Sequence, residues 1–209
     1  MKIIALSDTH RQHLNVKVPK GDMLIFAGDG EFASKEYFTE FLEWFSYHPH
    51  PYKILVAGNH DFYCENNYEQ ILELCNQYDI LYLEDSGANI NGVNIWGSPY
   101  TPTFFNWAFM RARGDVISKV WDKIPMDTDI LITHGPPYGI LDYTSYKQYV
   151  GCWDLGYRIE EIKPKYHIFG HIHHSSGVEV INNTTYVNCS VLNDKYIASF
   201  KPKVIEYKG

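Results

Sequence analysis

Five short pieces of the chain carry the chemistry: Asp8-Thr9-His10, Gly28-Asp29, Gly58-Asn59-His60-Asp61, His134-Gly135 and Gly170-His171-Ile172-His173. Each follows an apolar run rich in β-branched residues. Asp, Asn and His are poor strand interiors but good oxygen and nitrogen ligands for divalent cations. Placing them repeatedly where strands end builds a metal site from loop tips. The donors are the carboxylates of Asp8 and Asp29, the carbonyl of Asn59 and the imidazoles of His10, His134, His171 and His173, with His60 left over. Seven ligands are too many for one tetrahedral zinc, but they suit two ions sharing a bridging carboxylate. Mixed oxygen and nitrogen ligation without thiolate favours Mn²⁺, with Fe, Zn²⁺, Ni²⁺ or Mg²⁺ as alternatives. Two such ions about 3.5–4 Å apart clamp the attacking and leaving oxygens of a phosphoryl displacement. Two dications, two carboxylates and a hydroxide sum to roughly +1, which draws in an anionic phosphate ester.

Local spacing supports the grouping. In extended backbone, Asp8 and His10 would face one ion, as would His171 and His173. Gly28, Gly58 and Gly170 would let the chain turn sharply before the ligands. A lone Asp-x-His or His-x-His is a weak signal, because such pairs commonly hydrogen-bond within their own loop. Gly-Asn-His-Asp after an apolar run is stronger, and local bonding does not account for all five pieces in this order.

The elements that position these residues are legible in outline. Buried strands are expected at Lys2–Leu6, 22–27, 53–57, 80–83, 129–133 and Tyr166–Phe169, all short, apolar and bounded by Gly, Pro or polar clusters. Hairpins are expected at 88–96 around Asn91-Gly92 and at 178–189 around Asn182-Asn183, with a last strand at 204–207. Helical periodicity marks 34–47, with Ser34 as its N-cap, 67–78, and Trp153–Ile162. Two irregular stretches, 97–113 and 135–151, are rich in Pro, Tyr, Trp and Gly and are expected to rim the metal site.

At 209 residues the chain is read as a single domain, 1–209, large enough to bury a full core. Aromatics make up 16%, which first implies extra core and strand residues and secondarily a pocket that accepts a ring. A net charge of −7 speaks against broad, charge-driven nucleic-acid binding but leaves small phosphate esters open. The four cysteines (Cys64, Cys75, Cys152, Cys189) lack CxxC spacing and read as reduced, mostly buried thiols. The first apolar run is too short for a signal peptide, and no run reaches membrane-spanning length, so the expectation is a cytoplasmic protein without membrane attachment. Oligomeric state is not encoded in any motif.

The ordered series from Asp8 to His173 resembles the signature of calcineurin-like metallophosphoesterases. The resemblance implies an α/β fold, a four-layer αββα sandwich with a dinuclear site at one end. It assigns Asp8, His10 and His173 to one metal and Asn59, His134 and His171 to the second. Asp29 would bridge them, with a water or hydroxide between the ions as nucleophile. His60 would lie outside the metal shell as the general acid that protonates the leaving oxygen. A narrower likeness is carried by Gly97-Ser98-Pro99-Tyr100-Thr101-Pro102, Thr133-His134-Gly135-Pro136-Pro137 and Gly151-Cys152. These resemble the small metallophosphoesterase-domain group related to a brain phosphodiesterase. Some members of that group replace the first His of Gly-His-x-His by Gly; this chain keeps His171. Gly30 stands where many superfamily members carry a larger apolar residue.

The reading that follows is a metal-dependent phosphoesterase acting on small phosphodiesters, cyclic nucleotides among them. A phosphomonoesterase or protein phosphatase of the same fold is the alternative, weakened because Gly28-Asp29-Gly30-Glu31 lacks the Arg those phosphatases carry. A non-catalytic metal-binding scaffold would be expected to have lost ligands, and none is missing. Asp61 is read as structural. Arg111 and Arg113 are read as solvated surface charge before phosphate ligands, and His13 and His174 as neighbours of the motifs. His48 and His50 flank Pro49 at a helix end, where a cation would complement the dipole.

Overall fold

The computed structural model describes residues 1–208. In chain order the elements are β1 (Lys2–Leu6), β2 (Met23–Ala27), α1 (Lys35–Tyr47), β3 (Tyr52–Val56), α2 (Phe62–Asn66), α3 (Tyr68–Gln77), β4 (Leu81–Tyr82), β5 (Ser86–Ile90), β6 (Val93–Ser98), β7 (Thr101–Pro102), β8 (Met110–Arg111), α4 (Asp115–Trp121), β9 (Ile130–Thr133), α5 (Trp153–Ile162), β10 (Tyr166–Phe169), β11 (Gly177–Ile181), β12 (Thr184–Asn188) and β13 (Lys203–Glu206). Strands β1, β2, β3 and β4 run parallel, with β13 added antiparallel at the β1 edge. The second sheet has the order β11-β12-β10-β9-β6-β5, parallel at its centre with an antiparallel strand on each edge.

Alternation along the strands sorts the layers. Ile3, Ala5, Met23, Ile25, Ile54 and Val56 face the second sheet and pack against Ile95, Ile130, Ile132, Ile168 and Val187. Their neighbours Ile4, Leu6, Leu24, Phe26 and Leu55 face outward under Phe38, Phe41, Leu42 and Phe45 of α1 and Ile71 and Cys75 of α3. On the far side, Leu131, Phe169 and Tyr186 are covered by Ile117 and Trp121 of α4 and Leu155 and Ile159 of α5. Helix, sheet, sheet, helix is the expected four-layer order. Strands buried on both faces also explain why their sequences are continuous apolar runs.

The expected hairpins form about Asn91-Gly92 and Asn182-Asn183, and Ser34 caps α1 by accepting from the Tyr37 amide. Asn91 and Gly92 both have positive φ, as a two-residue primed turn requires. Helices α2 and α4, absent from the sequence expectation, have five and seven residues, too few to show periodicity. The 97–113 stretch is less irregular than expected, because β7 and β8 pair within it. All four cysteines are buried and unpaired. No helix among the described residues is long and apolar enough to cross a membrane.

Candidate metal centre

Every residue of the sequence series lies just beyond the C-terminal end of a parallel strand. Asp8 follows β1, Asp29 follows β2, and Asn59 and His60 follow β3. On the second sheet His134 follows β9, and His171 and His173 follow β10. This is the edge where open α/β sheets form their ligand crevice. The two sheets meet there through a bridge between Ser7 and Ser190.

The donor atoms converge on two carboxylates. Asp29 Oδ2 lies 3.3 Å from His134 Nε2, 3.8 Å from His10 Nε2 and 4.0 Å from His60 Nε2. Asp8 Oδ1 lies 3.4 Å from His173 Nε2. His134 Nε2 is also 2.9 Å from Asn59 Oδ1. Three groups of donors result: Asp8, His10 and His173; His10, Asp29 and His60; and Asp29, His134 and His171. Asp29 and His10 each belong to two of them, and Asp29 Oδ2 lies between His10 on one side and His134 on the other. Asp29 Oδ1 accepts from the His60 amide at 2.8 Å, which leaves Oδ2 for the centre.

Backbone geometry rather than an extended chain makes Asp8 and His10 converge. Asp8, His10, Asp29 and His171 all have positive φ, between 39° and 68°, and His173 opens a short 3₁₀ turn. The expectation that residues i and i+2 share a face by β geometry is therefore corrected: left-handed residues turn the chain out of the strand direction, and the Asp8 and His10 amides bond the Gly28 and Asp29 carbonyls of the neighbouring loop. Such backbone is costly for non-glycine residues and gathers at functional sites. Of the three glycines expected to supply turns, only Gly28 has positive φ, at 96°. Gly58 and Gly170 are required by crowding, since a Cβ at Gly58 would strike Asp29 and one at Gly170 would strike Ser7 and Asp8.

The site's electrostatics fit bound cations. Asp8 and Asp29 are at most 2% exposed, and among the described residues no Lys or Arg pairs with either. Two buried carboxylates without a cation are costly. Their side-chain surroundings are imidazoles and hydroxyls; Asp8 also accepts from Ser7, Ser190 and the His171 amide. His134 Nδ1 faces the Ala27 carbonyl at 2.9 Å and His173 Nδ1 the Asn193 carbonyl at 3.1 Å. A proton on each Nδ1 leaves the Nε2 lone pair aimed at the carboxylates, the arrangement by which metal-ligating histidines are oriented. Acceptor then faces acceptor, and a cation between them removes the conflict. Without one, protons take its place. Burial lowers His134 and His173, but the Asp29 charge and the Asp8 hydrogen bond outweigh it, and each rises to about 9. His10 Nε2 is buried with no hydrogen-bond partner, and burial lowers its pKa.

The eight site residues expected from the sequence are thus brought together at one edge, and other expectations sort themselves by contact. Asp61 is structural: its buried carboxylate accepts from the amides of Gly58, Asp29 and Phe32 at 2.7, 3.0 and 3.1 Å. Gly30 makes room for the Phe32 ring, which a Cβ would strike. Arg113 is not free surface charge, because it donates to the Val150 and Gly151 carbonyls and so joins the two long loops. Arg111 stacks on Tyr100 and donates to the Met110 carbonyl. His13 packs on Phe41 and Trp44, and His174 pairs with Asp194 at 2.9 Å. Burial lowers both His48 and His50, which works against a cation at that helix end. Two aromatic neighbours of the centre carried no motif. Trp107 lies on His60 at 4.2 Å, and Tyr196 lies against His10 and His173 at 4.8 and 5.2 Å.

A double sheet with a buried carboxylate–imidazole cluster at its C-terminal edge is the architecture of a metal-dependent phosphoester hydrolase. The comparison with known families agrees, since the calcineurin-like phosphoesterase model matches residues 1–175, and the chain belongs to that family. Human metallophosphoesterase domain-containing protein 1 is 38% identical over 98% of this chain and 70% of its own length. The UPF0046 protein K07C11.7 of Caenorhabditis elegans is 41% identical over 92% of this chain and 70% of its own. One solved structure, 17% identical, covers 99% of both chains with a TM-score of 0.67 and shares the fold.

Proposed function

We propose that the chain hydrolyses small phosphodiesters, cyclic nucleotides among the candidates, at a centre of two divalent cations, Mn²⁺ foremost. The observation carrying this reading is the placement of Asp29, whose Oδ2 lies 3.8 Å from His10 Nε2 of one donor set and 3.3 Å from His134 Nε2 of the other. Asp8, His10 and His173 would hold one ion, and Asn59, His134 and His171 the other. When bound, the ions supply an activated water and positive charge for the phosphoryl oxygens. The protein's own part is to fix that donor set through the Ala27 and Asn193 carbonyls and to deliver a proton. His60 is the residue placed for delivery. Its ring is partly exposed, its amide is tied to Asp29, and although it groups with His10 and Asp29, the two proposed donor sets do not need it. As a water oxygen bonds to phosphorus and the ester P–O bond breaks, the proton passes from His60 to the leaving oxygen. That oxygen ends as a hydroxyl beside a phosphomonoester, on a separate alcohol for a linear diester and on the same molecule for a cyclic one. The net charge of −7 works against charge-driven binding of long nucleic acids, which supports a small substrate.

The direct test is hydrolysis of bis(p-nitrophenyl) phosphate by the Mn²⁺-loaded chain, followed by a screen of phosphomonoesters, linear diesters and cyclic nucleotides. Asp29→Ala is expected to lose nearly all turnover and to bind fewer than two ions per chain. His60→Ala is expected to keep its metals and lose about 10²–10⁴-fold in kcat on esters with poor leaving groups. Undiminished turnover in Asp29→Ala overturns the metal assignment, and fewer than one ion per wild-type chain favours a scaffold role.

A further inference from the structure

The His60 ring is held in an unusual way for a proton donor. Its amide is tied to Asp29, yet among the described residues no hydrogen bond fixes either ring nitrogen. The carboxylate next to it in sequence, Asp61, is occupied by three backbone amides. What confines the ring is aromatic contact: His10 meets it edge-on at 4.9 Å and 83°, and Trp107 covers it at 4.2 Å and 40°.

The chain just after Trp107 is pinned. The next residue, Ala108, is fully buried and donates its amide to the carbonyl of Asn59 at 3.0 Å. Phe109, also buried, donates to the Glu65 carboxylate at 2.9 Å, and the Phe62 ring lies 6.1 Å from the indole. The segment carrying Trp107 is therefore bonded to the residue immediately before His60. We infer that Trp107 is the positioning residue that sets the plane of the His60 ring over the centre. This rests on the reading of His60 as proton donor. A hydrogen-bonded carboxylate would orient the ring through one nitrogen and occupy it; here the Asp29 carboxylate faces Nε2 only at 4.0 Å, beyond hydrogen-bond distance, and the indole sets the plane. Freed of that wall, the ring regains its rotamers, and loose placement of a catalytic group costs turnover steeply.

The test compares Trp107→Leu, Trp107→Phe and His60→Ala in the full Mn²⁺-loaded chain on two diesters differing only in leaving group, methyl p-nitrophenyl phosphate and methyl phenyl phosphate. The phenolate is the poorer leaving group and depends more on proton delivery. Trp107→Leu is expected to lower kcat for the phenyl ester about 10- to 100-fold with KM within about twofold. The p-nitrophenyl ester is expected to lose less than about threefold, and Trp107→Phe to recover most of the loss. In the metal-free chain, the NMR signals of the His60 ring protons are expected to move in Trp107→Leu as the indole ring current is lost. Equal losses on both esters, or a raised KM with unchanged kcat, overturn the inference and make Trp107 a substrate-contacting wall. An unchanged His60 ring signal overturns it even if Trp107→Leu is too unstable for kinetics. If His60→Ala itself shows no leaving-group dependence, the proton-donor reading fails instead.

Discussion

Asp61 and His167 are both buried and both polar, and they show how differently single residues serve one site. Asp61 ties together the two loops that carry Asp29 and Asn59, because its oxygens satisfy the amides of Gly58, Asp29 and Phe32. Burial and the nearby Asp29 charge push its pKa up to about 7, and the amide donors oppose that rise. His167 lies on β10, away from the donors, its Nε2 2.8 Å from the Thr133 hydroxyl and its Nδ1 buried without a partner. Burial lowers its pKa from 6.5 to about 3. The folded chain therefore keeps it neutral where the unfolded chain protonates it, so its contribution is intact above pH 6.5 and is lost as pH falls toward 3. Between pH 7.5 and 5 this one group removes about 2 kcal/mol of stability. Urea denaturation at the two pH values is expected to show His167→Leu losing about 2 kcal/mol less than the parent chain. Equal acid sensitivity in both would mean that His167 is not the group responsible.

At the scale of the element, the strand ends do the positioning, and the cost of disturbing them depends on what sits behind each turn. A Cβ at Gly30 would meet the far end of the Phe32 ring, whereas one at Gly170 would meet Ser7 and the Asp8 carboxylate. Gly170→Ala is therefore expected to push Asp8 out of register, lowering the number of ions bound per chain and the Mn²⁺ affinity at least about tenfold. Metal titration by calorimetry reads this directly, and undiminished affinity would remove the crowding argument. The sequence disclosed these strand ends well, because apolar strands buried on both faces stop abruptly at Asp, Asn and His. It did not disclose how the loops turn. Alternation predicts an extended Asp8–His10 segment, and only tertiary bonds, such as those of the Asp8 and His10 amides to the Gly28 and Asp29 carbonyls, explain the left-handed backbone. Trp107 lies in the 97–113 stretch expected to rim the site, but its contact with His60 was not legible, nor was Tyr196 at all. Each reaches the centre from a segment whose path is set by long-range hydrogen bonds. Gln12 Nε2, for instance, donates to the Tyr196 carbonyl at 2.7 Å.

For the whole molecule, the donor set is the seam between two independently built sheets. Asp8, Asp29 and Asn59 belong to the first sheet, and His134, His171 and His173 to the second. Already in the protein alone, Ser190 and His171 of the second sheet bond Asp8 of the first, and His134 reaches the Ala27 carbonyl. Ions shared across this seam would tie the sheets together, so binding and folding must be linked. At about 100 times the dissociation constant, one such site adds about 2.7 kcal/mol, which for a chain of this size raises Tm by roughly 5–11 °C. Mn²⁺ is expected to produce that rise in the parent chain and in His60→Ala, chelator to reverse it, and Asp29→Ala to abolish most of it. Hydrogen exchange separates a seam clamp from general stabilisation. The Ser7, Gly170 and Val191 amides, which bond Cys189, His134 and Ser7 across or beside the seam, should slow on Mn²⁺ addition more than amides of the outer hairpin β5–β6. Equal slowing throughout, or a Tm rise retained in Asp29→Ala, would mean that the cation binds elsewhere and leaves the seam as it was.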